Sequence, residues 1–120
     1  MKTFAATLVL FLILIIIIIV NVFYVNSVLE RTRELATQIY TDSADDAALS
    51  ELCEYWKKHK AVLGMSTSLR DVDSVTENLL NFRTSIIEGN DLLLEQSYAL
   101  LCNSLDDIAR YERISLENIF

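Results

Sequence analysis

No charged residue occurs between Lys2 and Glu30. The gap holds Phe4-Ala-Ala-Thr-Leu-Val-Leu-Phe-Leu-Ile-Leu-Ile-Ile-Ile-Ile-Ile-Val20, followed by Asn21-Val-Phe-Tyr24-Val25. In water a β-branched Ile run favours a strand. In lipid the backbone must satisfy its own hydrogen bonds, so the same run becomes helix. The 21 residues from Phe4 to Tyr24, at about 1.5 Å each, reach about 31 Å, matching a hydrocarbon core of about 30 Å. Phe23 and Tyr24 stand where an interfacial aromatic belt belongs. Residues 1–25 therefore read as a short N-tail and transmembrane anchor, with residues 4–25 contacting the lipid bilayer.

The main competing reading is a cleaved signal peptide. The apolar core Phe4–Val20 exceeds an h-region of about 7–15 residues, and no A-x-A site follows it; Val25-Asn26-Ser27 is a weak substitute. A lipoprotein needs a Cys beside the apolar segment, and none is there. Charge counting for orientation is close to a tie, with Lys2 and the α-amine on one side and Arg31 and Arg33 on the other. The short N-tail favours an uncleaved signal anchor: N-terminus cytoplasmic, C-terminal domain extracytoplasmic, in the cell membrane.

The remainder, 26–120, is a different material. It carries nine Lys/Arg against seventeen Asp/Glu. It reads as helix throughout, in segments at about 28–40, 43–63, 68–88 and 91–112, with a tail 114–120 apolar enough to dock. The first segment repeats Val28, Thr32, Leu35, Ala36 and Ile39 at helical spacing, and no Pro or Gly separates it from the anchor. The second opens at Ser43-Ala-Asp-Asp46, close to a capping box, and aligns Leu49, Leu52, Trp56 and Leu63. Gly64 to Ser68 reads as a loop, and Ser68-Leu-Arg-Asp71 as the next helix start. The third helix aligns Val72, Val75, Leu79, Phe82 and Ile86. Gly89-Asn90 is a C-cap signal, and the fourth helix aligns Leu94, Tyr98, Leu101, Leu105 and Ile108. Trp56, Leu79, Phe82, Leu101 and Leu105 are the expected core.

Short connections make neighbouring helices antiparallel. The fold class is thus all-α: a transmembrane helix followed by a small antiparallel bundle of two helical hairpins. A shift of 49 pairs Leu52-Cys53 with Leu101-Cys102, which suggests tetratricopeptide-like stacking, although that repeat's signature residues are missing. Parallel stacking would bring Cys53 and Cys102 to similar heights. Two outcomes are then open: a disulfide closing a loop of about 50 residues, stabilising by about 4 kcal/mol, or two free thiols acting as small core residues.

Catalytic and metal chemistry find little support. His59 is the single histidine. It lies six residues after Cys53, about 240° around a helix, so the two cannot converge as a nucleophile pair; it reads as a surface histidine. Cys53, His59 and Cys102 fall short of four zinc ligands. The doublets Asp45-Asp46 and Asp106-Asp107 diverge by about 100° and read as solvated surface. No Gly-rich phosphate loop exists. No catalytic, cofactor-binding or metal residue is expected, and no cofactor. An acidic chain with net charge −7 and sequence pI near 4.5 is a poor nucleic-acid binder. Tyr55-Trp56-Lys57-Lys58-His59-Lys60 is the one basic, aromatic cluster. Either Lys57, Lys58 and Lys60 contact anionic headgroups or a partner, or Trp56 is core and the lysines are solvated beside Glu51 and Glu54.

The layout resembles domain-of-unknown-function family 4363, small single-pass membrane proteins of spore-forming Gram-positive bacteria. The likeness covers nearly the whole chain. It rests on the Ile/Leu-rich anchor, Trp56 late in the second helix, Asp71-Val-Asp-Ser-Val75, and above all the closing Ile114-Ser-Leu-Glu-Asn-Ile-Phe120. Relatives often carry His just before the acidic patch, where this chain has Leu69. The family lends no activity. What the resemblance implies is architecture and a bacterial membrane location.

The function expected from the sequence is a membrane-anchored structural or interaction protein, not an enzyme, with an unknown protein partner. The rival is a small-ligand or envelope-stress sensor whose bundle binds an apolar ligand or headgroups.

Overall fold

The computed structural model describes residues 1–41 and 46–119. They form four helices and no strand: α1 (Lys2–Thr41), α2 (Asp46–Ser66), α3 (Leu69–Glu88) and α4 (Asp91–Ile119). Ser43 to Asp45 of the expected capping box and the end of the tail at Phe120 lie outside the described residues.

Helix α1 is continuous over 40 residues, about 60 Å at 1.5 Å each. The boundary expected after residue 25 is not a break, because no Gly or Pro interrupts the hydrogen-bond ladder there. What changes is the environment. In the most apolar 18-residue window only 6 % is buried, so α1 does not begin as the core helix of a globular domain. From Val25 onward Val25, Val28, Leu29, Thr32, Leu35, Ala36 and Ile39 are buried on one face. Thr32 avoids an unpaired hydroxyl by donating Oγ1–H to the Val28 carbonyl at 2.7 Å. The same helix thus changes from exposed apolar surface to a buried stripe, and near its N-terminus it is long and apolar enough to cross a membrane.

In α2 the expected stripe Leu49, Leu52, Trp56 and Leu63 is buried. Trp56 donates its indole N–H to Thr76 Oγ1 at 2.8 Å, which lets its large ring be buried with no unmet donor. The loop expected from Gly64 shrinks to Thr67 and Ser68. A lone glycine costs a helix only about 1 kcal/mol, less than the packing gained by continuing. The helix ends where the Thr67 N–H and hydroxyl both turn back onto the Leu63 carbonyl, at 2.8 and 2.7 Å.

Ser68 caps α3 as expected, its hydroxyl accepting from the Asp71 N–H at 3.4 Å. Gly89, at φ 66°, closes it. The Asn90 N–H reaches the Ser85 carbonyl at 3.0 Å and the Gly89 N–H reaches Ile86 at 3.2 Å, a Schellman arrangement. Asn90 then starts α4 through Oδ1, which accepts from the Leu93 N–H at 3.1 Å. Helix α4 runs past the expected end at 112 as one piece, and Ile114 is exposed rather than docked.

Each helix packs on its two neighbours in a closed ring, α1–α2–α3–α4–α1. Among the described residues the diagonal pairs α1–α3 and α2–α4 bring no Cα atoms within 8 Å of each other. This is an up-down-up-down four-helix bundle rather than tetratricopeptide-like stacking of separate hairpins, because α4 returns to α1. Thr37 and Tyr98 share a hydrogen bond of 2.7 Å, the Tyr40 and Tyr98 rings stack at 4.3 Å, and Arg33 pairs with Asp106. The α3–α4 seam is the most extensive. Buried Ser85, Ser97 and Ser104 are small enough for close backbone approach, and Asn78 Nδ2 donates across it to the Leu100 carbonyl and Ser104 Oγ, both at 3.2 Å. All five expected core residues are buried.

Candidate functional site

The singled-out polar residues divide between the two ends of the bundle. Helices α2 and α4 run antiparallel to α1, so the C-terminal ends of α2 and α4 lie beside its apolar half. Two side-chain contacts set that register. The Tyr24 hydroxyl meets His59 Nδ1 at 2.8 Å. Asn21 Nδ2 donates to Glu112 Oε1 at 3.2 Å.

His59 is therefore not the plain surface histidine expected. It is half-buried, with its ring 5.7 Å from Tyr24 and 4.5 Å from Tyr55. Its hydrogen-bond partner is 35 residues away, out of reach of any periodicity argument. Burial, with Tyr24 nearby, pushes the Tyr55 phenol up, and Arg31 opposes this. Glu112 is 7 % exposed, and burial raises its carboxyl above the ordinary value. The sequence showed Asn21 as an amide near an interface but gave no sign of its carboxylate partner.

Lys57 and Lys58 are exposed and Lys60 is half-buried, on the turns of α2 that flank His59. Glu51 bonds Arg31 at 3.3 Å rather than a lysine. Among the described residues no carboxylate pairs with any of the three lysines. Trp56, just before them in sequence, faces the core. An open groove of about 390 Å³ lies just below this cluster, between α1 and α2. It is lined by Ile16, Ile17, Val20, Asn21, Tyr24 and Val62, almost wholly apolar.

Cys53 and Cys102 are free and half-buried. The bridge between them is not formed, because they stand on diagonal helices with no Cα atoms within 8 Å, beyond the roughly 4.4–6.8 Å a disulfide spans. The shift of 49 that suggested similar heights says nothing about facing direction. Cys53 lines a depression toward α3 with Glu54, Arg83 and Ile87. Burial pushes its thiol up while Arg83 pulls it down, which leaves it a weak nucleophile at neutral pH. Asp106 and Asp107 are exposed, as expected, and pair with Arg33 and Arg110. Among the described residues no three His, Cys, Asp or Glu side chains gather as a metal site.

No protein-family model, curated protein or solved structure matches this chain.

Proposed function

We propose that the protein is a single-pass, membrane-anchored structural or interaction protein. Residues 4–25 cross the bilayer, the N-terminus is cytoplasmic, and the bundle lies outside the cytoplasm and engages a protein partner. One observation carries the reading: an apolar helix half, almost unburied, continues without a break into a bundle that already has its own core. Such a helix half needs an apolar solvent, and the bundle does not supply one. The groups with raised pKa values, Arg33, Cys53, Tyr55 and Glu112, share no cleft among the described residues, which supports a non-enzymatic role. The acidic surface supports a partner other than nucleic acid. The likeness to family 4363 fits this reading and adds no activity to it.

A phosphatase fused after Phe120 tests it. Activity only when the fusion is exported, with the protein resisting alkaline extraction from membranes, is the expected result. Activity of a cytoplasmic reporter in the same position would reverse the topology, and release by alkali would remove the anchor. The groove beside Val62 favours one second reading, a sensor of small apolar ligands. Native mass spectrometry of detergent-extracted protein would then show retained ligand mass.

A further inference from the structure

We propose that the corner between α2 and α3 is a second membrane contact. Val62, Met65 and Leu69 enter the interface of the bilayer that α1 spans, and Lys57, Lys58 and Lys60 hold its anionic phosphate headgroups. The proposal rests on the reading of α1 as a span and adds to it a lipid-facing site on the folded domain.

Length makes the first argument. Ile15 is already half-buried, and Ile16 and Ile17 line the groove with Val62. From Ile16 to Val20 α1 is flanked on one side only, with Ile16, Ile17, Ile19 and Val20 staying 46–60 % exposed; the part clear of the bundle on every side is Lys2 to Leu14, 13 residues, or about 20 Å. That is short of the roughly 30 Å hydrocarbon core. If α1 crosses, the lower end of the bundle must sit within the bilayer surface.

Register makes the second. His59 is level with Tyr24, where the aromatic belt marks the headgroup boundary. Lys57, Lys58 and Lys60 lie within one turn of that level. Met65 is six residues further along α2, about 9 Å deeper. Interfacial helices bury apolar faces by about 5–10 Å, so the depth fits. Met65 is 87 % exposed and Leu69 62 % exposed, with the apolar surface of the anchor beside them. The turn there is also ready for a partly dry setting. Thr67 bonds Leu63 by both N–H and hydroxyl, Ser68 Oγ accepts from Asp71, and the Val72 N–H reaches the Ser68 carbonyl at 3.0 Å.

Charge makes the third. From Tyr55 to Arg70 there is no Asp or Glu, and four cations occur: Lys57, Lys58, Lys60 and Arg70. This is in a chain of net charge −7. Asp71 and Asp73 open α3 at the same end, so attraction to an anionic surface comes from the α2 side. Cations that pair with no carboxylate among the described residues, beside exposed apolar side chains, match anionic lipid, which offers phosphate above and acyl chain below.

The full chain is reconstituted into vesicles of equal parts phosphatidylcholine and phosphatidylglycerol. An environment-sensitive fluorescent amino acid replaces Met65, Glu88 at the far end, or Phe11 in the anchor, one at a time. Nitroxide-bearing lipids report contact. The expected result is a blue shift and quenching at position 65, with neither at 88. Quenching at 65 no greater than at 88 overturns the proposal. A probe at 11 that escapes the lipid quenchers instead overturns the span itself, so the two failures are separable. K57E/K58E/K60E, at positions outside the core, should lower quenching at 65 toward the level at 88, each lost lysine weakening the docked state about fivefold. Unchanged quenching in that variant, or equal quenching in pure phosphatidylcholine, overturns the headgroup assignment.

Discussion

Leu79 and Leu101 are 4 % and 0 % exposed on the inner faces of α3 and α4. Truncation of either to Ala removes buried methyl groups and leaves a cavity, so each variant should lose about 2–5 kcal/mol. Against a total stability of about 5–15 kcal/mol, either loss is visible in chemical unfolding in detergent. Losses under about 1 kcal/mol at both sites would mean that these are not inner faces. Glu112 gives a pH signature. Burial raises its carboxyl in the folded state, so the folded chain binds that proton more tightly than the unfolded chain. Its contribution to stability therefore grows as pH falls through the raised folded value and levels off below the ordinary one. At neutral pH the buried charge is a cost. Glu112→Gln keeps an acceptor for the Asn21 amide and removes the charge. The variant should melt higher at neutral pH, with its advantage fading as the pH drops into the acid range. Thermal unfolding of both proteins across pH checks this, and a lower melting temperature for the variant at neutral pH would contradict it.

Among elements, the two glycines have opposite roles, which substitution separates. Gly89 ends α3 in the left-handed region at φ 66°, with nothing within 4 Å of a built Cβ. Gly89→Ala therefore carries a purely backbone cost of about 1–2 kcal/mol. Gly64 sits inside α2, and a Cβ there would meet Leu69 Cδ1 at 3.1 Å. Leu69 is largely exposed, so that methyl can swing aside. The helix-propensity gain of about 1 kcal/mol then wins, and Gly64→Ala should stabilise by up to that amount. Denaturant midpoints of the two variants should move in opposite directions. Movement in the same direction would show that one of the two local conformations is misassigned. The Gly89 cap was legible because a Gly-Asn pair at the end of a 3/4 stripe has a local cause. Gly64 was read as a loop because a glycine by itself does not reveal that packing carries the helix past it.

At the scale of the whole molecule, the ring of four helices separates the cysteines. Alkylation of the unfolded, unreduced protein should add two labels to the monomer. A mass that rises by two labels only after reduction would require α2 and α4 to meet, and so a different helix arrangement. The ring also brings Asn21 to Glu112 and Tyr24 to His59. The domain thereby grips the last turns of the apolar helix instead of hanging from its end.

The sequence by itself determined the apolar helix, the stripes of α1 to α4, the caps at Ser68 and Gly89, and the five core residues. All of these follow from local causes: side-chain period, capping chemistry and the length of an uncharged run. Only the tertiary structure decided that α4 closes on α1, that the cysteine-bearing helices are diagonal, and that His59 has a tyrosine partner. A stripe records that a face is buried but not which helix buries it. That choice is made by shape at the seams, where Ser85, Ser97 and Ser104 bring α3 against α4, and Tyr98 stacks on Tyr40 to bring α4 back to α1.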